Sequence, residues 1–460
     1  MSSSQKLVEQ ACASFPDILQ VDPDPNVAPV IDCAQDAFRS TPDDQYYVRK
    51  MVGSGASGTA LIGRRKRDNL GVIAKLIDLT GMEKRQLDRT RSEVQCLARC
   101  NHSAIIQYLT HKENDNGRLL VVMELADAGD LGFQIKHRRE TKAKFLEHEV
   151  ALMFVQIVMA IDYVHSSSIL HRDLKPANIF VKANGLVKLG DFGLSKVYED
   201  TVSADVATSM VGTPYYLAPE VWRREPYSKK ADMFSLGVLF YELLALDRPF
   251  KGPNVVSVMQ AITSGARGSL PENITKETAT VVDKLLSPTP EQRPTTMELL
   301  ESPLMDHAMR VYKGIVNGLP ANDATKAVIL QDIKNVRDKL RARFNEKNPR
   351  KKVSDEDLAA IEMTGPLVFL EDGKKWKQRQ VRVGKGGIQI AKTTEGLSAP
   401  LLVVPLADIH SVIDVPRCFA DNRSNAFALI LQNDDALWFY ATDESSVTQW
   451  ISVLSKAAGL

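Results

Sequence analysis

The stretch His171-Arg172-Asp173-Leu174-Lys175-Pro176-Ala177-Asn178 decides the fold of this 460-residue chain. Its first six residues, HRDLKP, would occur in that order by chance with a probability of ~10⁻⁵ in a chain of this length. Each polar member has a task in phosphoryl transfer. Asp173 would orient or accept the proton of an attacking hydroxyl, Lys175 would neutralise the transferring group, and Asn178 would bind a metal ion. The stretch therefore predicts a phosphotransferase active site.

Two further motifs follow at spacings that suit the same chemistry. Thirteen residues after Asn178, Asp191 begins the segment Asp191-Phe192-Gly193, and its carboxylate would hold magnesium across nucleotide phosphates. Further along the chain lies Ala218-Pro219-Glu220. We expect Glu220 to form a buried structural ion pair with Arg293, separate from catalysis.

A glycine-rich segment, Gly53-Ser54-Gly55-Ala56-Ser57-Gly58-Thr59-Ala60, follows a predicted strand. Glycines let the backbone approach a triphosphate closely, although a hairpin turn or a dinucleotide-binding fold uses the same pattern. No parallel βαβ crossover follows; instead Lys75 stands inside the apolar strand GVIAKLIDL, where a lysine needs anionic partners. We expect these partners to be nucleotide phosphates and Glu93 on the next helix. A solvated helix face is the alternative for Glu93.

The composition is that of an ordinary globular chain, with 44% apolar residues, 25% charged residues and a net charge of +1. Nucleic-acid binding would require a strong positive excess, so we expect no such partner. The five scattered cysteines predict reduced thiols. No signal peptide is visible, and the most apolar windows fall short of the ~20 residues that cross a bilayer. We expect a cytoplasmic protein, with association to the cytoskeleton or a membrane left open.

The chain divides into four predicted parts. Residues 1–45 are rich in Pro, Asp, Ser and Ala and predict a flexible lead-in. Residues 46–307 are first strand-rich and then helix-rich, which indicates two lobes. Residues 308–358 form a basic helical linker, and residues 359–460 contain short strands and a closing amphipathic helix. The predicted fold class is therefore multidomain α+β, with a bilobal domain followed by a small β-barrel.

The linker carries an apolar stripe at three- and four-residue steps, formed by Ile329, Ile333, Val336, Leu340 and Phe344. Between Lys334 and Lys352 it also has nine Lys or Arg residues against two acids. Two interpretations stay open. The stripe either docks on the preceding lobe or forms a homodimer through residues 326–345.

Residues from about 46 to 307 resemble a eukaryotic protein kinase, and the strings HRDLKPANIF, KLGDFGLSK and GTPYYLAPE resemble the NIMA-related (Nek) group. The resemblance implies a bilobal fold, ATP with magnesium (manganese as an alternative), and protein serine/threonine specificity. It assigns catalytic roles to Asp173, Lys175, Lys75 and Glu93. It also implies that Met123 is the gatekeeper and that Glu124 to Ala126 form the adenine-contacting hinge. The other implied nucleotide contacts are Val52, Gly53, Ser54, Gly55, Ala56, Ser57, Gly58, Ala60, Val72 or Ala74, Lys75 and Phe180.

The sequence departs from the family pattern at a few apolar positions. The strand reads Val-Ile-Ala-Lys rather than Val-Ala-Ile-Lys, Ala60 stands where Val is usual, and Phe234 stands where Trp is usual. None of these changes removes a catalytic group. An active enzyme is therefore favoured over the alternative, a pseudokinase scaffold.

The segment SADVATSMVGTPYY lies between Asp191 and Glu220. By similarity to Nek kinases, Ser209 is the expected phosphorylation site, with Thr208 as its neighbour. Arg172 could pair with that phosphate and order the loop. An unmodified, solvated loop is the alternative interpretation.

Residues 363–458 resemble a pleckstrin homology (PH) domain through GPLVFL, WKQRQVRV and a closing helix whose Trp450 would fill the barrel core. A kinase of this type joined to a PH domain resembles a kinetoplastid group. A basic cluster would clamp phosphoinositide headgroups, whereas Glu371 would repel them. The partner is therefore a protein or, more weakly, anionic membrane lipid. The predicted basic cluster consists of Lys374, Lys375, Lys377, Arg379 and Arg382.

Overall fold

A computed structural model describes most of the chain. The described residues are 3–24, 26–30, 41, 43–55, 58–191, 196–197, 214–319, 324–347, 361, 363–371, 375–415, 425–432 and 435–460. They form two compact units. The first contains Met1–Ile274, Ala279–Leu300 and Lys313–Lys334, and the second contains Thr275–Thr278, Glu301–Tyr312 and Asn335–Leu460.

The first unit begins with a strand-rich lobe. Its strands are β1 (Leu19–Val21), β2 (Tyr46–Gly55), β3 (Gly58–Arg65), β4 (Gly71–Asp78), β5 (Tyr108–Glu113) and β6 (Arg118–Glu124). They form one sheet in the order β1-β2-β3-β4-β6-β5, in which β1 runs parallel to β2 and the other neighbours are antiparallel. Two helices, α1 (Ser3–Ser14) and α2 (Lys84–Arg99), belong to this lobe. Helix α2 begins with a capping box, in which the Gln86 side chain accepts a hydrogen bond from the Glu83 N–H.

The described N-terminal segment, residues 3–24, does not match the flexible lead-in predicted for residues 1–45, because α1 and β1 are part of the lobe. Strands β4 and β6 are apolar on both faces, so the outer face of the sheet needs a cover as well as the inner one. Helix α1 supplies that cover with its own apolar face. The buried residues that meet there are Val8, Ala11, Phe15, Leu61, Val72, Ala74, Leu120 and Val122.

The second lobe is mostly helical. Its helices are α3 (Leu131–Thr141), α4 (Glu147–Ser166), α5 (Pro219–Trp222), α6 (Lys229–Ala245), α7 (Val255–Ser264), α8 (Lys276–Leu285) and α9 (Thr296–Leu300). Two short antiparallel pairs accompany them: β7 (Ile169–Leu170) with β10 (Lys196–Val197), and β8 (Ile179–Val181) with β9 (Val187–Leu189). Helices α4 and α6 meet at stacked Phe154 and Phe240 rings, whose centroids are 4.0 Å apart.

Helix α4 corrects the expectation that every apolar window is too short to cross a bilayer. It has 20 residues, and by length and composition alone it could span a membrane. Most of it is buried inside the lobe, which is typical of a core helix.

Two further helices, α10 (Pro303–Asn317) and α11 (Ala324–Lys347), cover much of the predicted linker, although α10 begins before the predicted boundary at residue 308. The apolar stripe of α11 is covered within the chain, since Ile329 and Ile333 are each 1% exposed. In the first unit the carboxylate of Asp332 accepts a hydrogen bond of 2.7 Å from the Ser103 N–H. In the second unit the Phe344 and His410 rings lie 5.0 Å apart. The burial of Ile329 and Ile333 in the first unit agrees with the docking interpretation for that end of the stripe, whereas a homodimer through residues 326–345 stays a prediction.

The second unit contains a seven-stranded antiparallel sheet in the order β14-β13-β12-β11-β17-β16-β15. Its strands are β11 (Met363–Glu371), β12 (Lys375–Gly384), β13 (Gly387–Ala391), β14 (Leu402–Val404), β15 (Ile409–Asp414), β16 (Ala426–Leu431) and β17 (Ala436–Tyr440). Strand β15 has the sequence IHSVID, in which polar residues interrupt the apolar run. Helix α12 (Glu444–Ala457) closes the core, and Trp450 is buried there as predicted.

Candidate active site

The loop after β7 places the catalytic candidates of the HRDLKPAN stretch together. One carboxylate oxygen of Asp173 accepts hydrogen bonds from the Lys175 ammonium at 2.7 Å and the Asn178 amide at 2.9 Å. The Asn178 amide nitrogen also donates to the Asp173 backbone carbonyl at 2.7 Å. A short 3₁₀ turn, Pro176–Asn178, returns the chain so that these contacts can form. The carboxylate is thus held in one orientation and is still partly exposed at the cleft.

A buried carboxylate, which sequence reasoning did not identify, holds the backbone of this loop by hydrogen bonds. Asp232, on α6, accepts the backbone N–H groups of His171 and Arg172, each at 3.0 Å. It also bonds to the imidazole of His165 and to the hydroxyl of Tyr227. Burial alone would raise the pKa of Asp232, but these partners lower it to about 2. The sequence signal for this role was an acidic residue inside the apolar run ADMFSLG, because a buried carboxylate needs hydrogen-bond donors.

His171 connects the catalytic loop to the segment that carries Asp191. Its Nε2 bonds to the Gly190 carbonyl at 3.2 Å, and its Nδ1 accepts the Asp173 N–H at 3.4 Å, which suits a neutral imidazole protonated at Nε2. Burial lowers the pKa of His171 and favours that neutral form. The Gly190 N–H also donates to the Asn178 carbonyl at 2.9 Å. The two predicted metal ligands, Asn178 and Asp191, are therefore joined through one short backbone contact.

Lys75 lies between two carboxylates, as the sequence predicts for Glu93. Its ammonium is 3.5 Å from Glu93 and 3.6 Å from Asp191. Burial would lower the pKa of Lys75, but the two carboxylates raise it above its usual range, so the lysine stays charged. Burial raises the pKa of Glu93, with Lys75 acting in the opposite direction. The ladder of β3 and β4 places Ala60 directly beside Lys75.

The donor set suits a magnesium–nucleotide complex. Because the Asn178 amide nitrogen is committed to Asp173, its amide oxygen is the atom that can face a cation. Magnesium prefers oxygen ligands and is commonly held by one or two side chains together with substrate phosphates. At Gly53 an added Cβ would meet nothing within 4 Å, so the backbone there borders open space that phosphates could occupy.

The walls of the base pocket differ from the prediction in one respect. Alternation along β4 places Ile73 on the same face as Lys75, whereas Val72 and Ala74 point to the outer face. Ala74 is fully buried with Phe15 of the N-terminal segment, so it cannot contact a base. The assignment of Val72 or Ala74 to the pocket is therefore wrong. Ile73, paired in the ladder with the predicted gatekeeper Met123, takes that place.

Paired substitutions on β4 test this correction. Ile73→Phe should fill the base pocket and raise the KM for ATP about tenfold or more, with little change in melting temperature because the position is half-exposed. Ala74→Leu should instead overpack the outer layer and lower the free energy of unfolding by about 1–3 kcal/mol. Steady-state kinetics and thermal melts on both variants check the assignment. A higher KM for ATP in the Ala74 variant without loss of stability would contradict it.

The remaining predicted nucleotide contacts within the described residues lie at or just after the end of β6, in the β2–β3 hairpin and in β8. The Glu124 side chain accepts hydrogen bonds from the Lys188 ammonium at 2.7 Å and from the Gln107 N–H at 2.8 Å. Because the carboxylate is engaged there, only the Glu124 backbone could contact a base. The Phe180 ring lies against Gly190, where an added Cβ would come within 2.7 Å of it. Val52 is exposed and Ala126 half-exposed. Ser54, Gly55 and Gly58 belong to the β2–β3 hairpin, and Ala56 and Ser57 lie outside the described residues.

Comparison with known proteins agrees with this geometry. Residues 46–305, more than half of the chain, match the family described as the protein kinase domain. The chain belongs to the protein kinase family. Residues 361–459 match the PH domain family.

Two relatives align with this chain over most of its length. The kinase is 35% identical over 421 residues to "Putative serine/threonine-protein kinase A" of Trypanosoma brucei brucei, covering 90% of this chain and 96% of the relative. It is likewise 35% identical over 426 residues to "Putative serine/threonine-protein kinase B" of that organism, with the same two coverages. Serine/threonine-protein kinase Nek5 of Homo sapiens is 34% identical over 270 residues, which are 58% of this chain and 37% of Nek5. The chain is a Nek-type kinase followed by a PH domain.

The predicted structural ion pair of the kinase is confirmed. Arg293 donates to the two carboxylate oxygens of Glu220 at 2.6 and 2.8 Å, and both residues are buried. Arg172 lies beside Tyr227 with its guanidinium 5.5 Å from the ring centroid. The loop that it was predicted to bind, with Ser209 and Thr208, lies outside the described residues.

The PH domain separates the predicted basic cluster. Lys375, Lys377 and Arg379 occupy every second position of β12, so their side chains share one face of the strand. Further along β12, the same face packs into the barrel core. Arg382 lies on the opposite face, where its Nε donates to Gln389 at 2.9 Å, so its assignment to a common cluster is wrong. Lys374 lies outside the described residues. Glu371 is directly opposite Lys375 in the β11–β12 ladder.

Proposed function

We propose that this kinase transfers the γ-phosphoryl group of ATP to serine or threonine hydroxyls of protein substrates. The observation that carries the proposal is the complete set of charged groups around one cleft, in which Lys75 meets both Glu93 and Asp191. A pseudokinase scaffold would have no need for that set. The serine/threonine-protein kinases among its relatives, and the motif LKPAN, support the choice of hydroxyl.

The contacts of each residue support a role in this reaction. The oriented carboxylate of Asp173 positions the attacking hydroxyl and accepts its proton. Lys175 lies beside that carboxylate and stabilises charge on the group in transfer. Lys75, fixed by Glu93, anchors the nucleotide phosphates. Asn178 and Asp191 would hold magnesium, which when bound neutralises negative charge on the phosphates.

A radiolabelled-ATP assay tests the proposal. Purified full-length protein with magnesium and a generic protein substrate should incorporate label, and hydrolysis of the product should yield phosphoserine or phosphothreonine. Label found only in phosphotyrosine, or no label above an enzyme-free blank, would contradict the proposal.

We further propose that phosphorylation of the activation loop controls the kinase. A phosphate on Ser209 or Thr208 would give Arg172 a dianionic partner and order the segment. Thr208→Ala combined with Ser209→Ala should therefore hold activity at a low basal level when the parent protein carries the phosphate. Kinase assays before and after phosphatase treatment measure this. Equal activity of parent and double variant would remove both residues from the mechanism.

Targeting by the PH domain is the third part of the proposal, with a protein as the main partner and membrane as an auxiliary contact. The kinase would then act in the cytoplasm, at the cytoskeleton or at a membrane. Lys375 and Lys377 are exposed on one face of β12, and each charge near an anionic membrane contributes ~1 kcal/mol. Exposed charges are screened within ~8 Å at physiological salt, so binding to lipid should be weak and salt-sensitive.

Sedimentation of the full chain with anionic vesicles at two salt concentrations tests the membrane contact. We expect binding at low salt, loss at physiological salt, and a reduction when Lys375 and Lys377 are both changed to Glu. Lys385→Glu, at the exposed turn at the far end of β12, is the control for reversing one lysine charge elsewhere in the domain and should retain binding. No sedimentation at low salt would exclude the membrane contact, and tight headgroup-selective binding at high salt would contradict its weakness.

A further inference from the structure

The N-terminal segment is attached to the strands that carry the nucleotide-binding residues. Helix α1 packs its buried Val8, Ala11 and Phe15 on the outer face of the sheet. Ala74, which these residues cover, is the neighbour of Lys75 on β4. The N-terminal segment therefore covers the outer face of β4, the strand whose opposite face presents Lys75.

A buried charge cluster fixes the segment to the β2–β3 hairpin. The Asp22 carboxylate accepts from Arg64 at 2.8 and 3.0 Å and from the Nε of Arg49 at 2.7 Å. Its side chain is 1% exposed. Burial would raise the pKa of Asp22, but the hydrogen bonds from Arg64 lower it below its usual range. This hairpin is the one whose other end forms the glycine-rich turn.

A third contact lies close to that turn. The hydroxyl of Ser4, in the first turn of α1, accepts a hydrogen bond of 3.1 Å from the Met51 N–H. The pairing of β2 with β3 shifts register between Met51 and Gly53. The far end of α1 is held as well, since Ser14 accepts hydrogen bonds from Arg118 and Asn114 beside the β5–β6 turn. Helix α1 thus spans the outer face and contacts β2 where the glycine-rich segment begins.

We propose that residues 3–24 form a cover that positions the glycine-rich turn for nucleotide, with Ser4 as a positioning residue. The inference rests on the proposed kinase function. Ser4 would act by holding the backbone of Met51, two residues before Gly53, and the Asp22 cluster would hold the hairpin from its other end. The cover contributes to nucleotide affinity without contacting the nucleotide.

Titration of the full-length chain with a fluorescent ATP analogue and magnesium tests the proposal. Ser4→Ala should raise the Kd for the analogue about fivefold, the effect of one lost hydrogen bond. The same variant should raise the KM for ATP and leave kcat and the KM for protein substrate unchanged. Ser4→Thr keeps the hydroxyl and should restore the parent Kd. Lys6→Ala, on an exposed position of the same helix, is the matched control and should bind like the parent.

Hydrogen exchange separates a positioning role from a purely structural one. Ser4→Ala should speed amide exchange in residues 51–60 while the melting temperature stays within a few degrees of the parent. An unchanged Kd and unchanged exchange would overturn the inference. If the parent itself fails to bind the analogue, the proposed kinase function fails instead.

Discussion

Replacing Asp173 by Asn is expected to reduce phosphoryl transfer by about 10²–10⁴-fold, because the substrate hydroxyl loses its proton acceptor. Asparagine has nearly the same shape and can still accept from Lys175, so the loop should stay folded. ATP affinity should stay close to that of the parent, since Asp173 is not among the phosphate anchors. Single-turnover assays with a generic substrate, together with nucleotide titration, measure the two effects separately.

Lys75→Met provides the complementary change. It should abolish transfer, because the phosphates lose their anchor and Glu93 and Asp191 lose the cation between them.

Asp115→Asn is the matched control for Asp173→Asn, since Asp115 lies on an exposed turn outside the cleft. Turnover of the Asp173 variant at a rate similar to the parent would show that another group acts as the base.

The second large effect concerns stability. Arg293→Met is expected to lower the free energy of unfolding by about 3–5 kcal/mol, because the buried Glu220 carboxylate is left without its partner. The backbone carbonyls of Ser287 and Lys230 lose a donor at the same time. Urea or thermal unfolding, followed by two independent probes, measures the change.

A double variant distinguishes loss of the pair from general damage. Arg293→Met combined with Glu220→Leu should recover a substantial part of the lost stability, since the uncompensated charge is removed. Arg267→Met breaks an exposed pair with Asp283 and should cost at most about 1 kcal/mol. A loss in the double variant as large as in the single variant would contradict the ion-pair explanation.

The catalytic residues were accessible to sequence reasoning because most of them lie in short, continuous motifs. Within HRDLKPAN the Asp173 carboxylate accepts its hydrogen bonds from Lys175 and Asn178, so the local order of residues determines the geometry. Asp191 and Glu220 follow in motifs of the same kind. The PH domain was recognisable for a related reason, since alternating strands and a closing helix with Trp450 leave a periodic pattern.

Contacts between distant segments had no such local signature. Asp232 supports the catalytic loop from a residue 60 positions away, and its role depends on which backbone groups fold onto it. Arg379 and Arg382 look equivalent in sequence, yet strand alternation directs them to opposite faces. Motif reading identifies chemical groups, but it does not assign them to one side of a sheet.

The sequence by itself determined the family, the chemistry and the residues of the catalytic loop, because those depend on neighbours within a few positions. Only the tertiary structure decided that Ile73 rather than Ala74 faces the base pocket, and that α1 is a layer of the first lobe. Both outcomes follow from one physical cause. A sheet that is apolar on both faces must bury both, and which segment covers the outer face is set by packing between residues far apart in the chain.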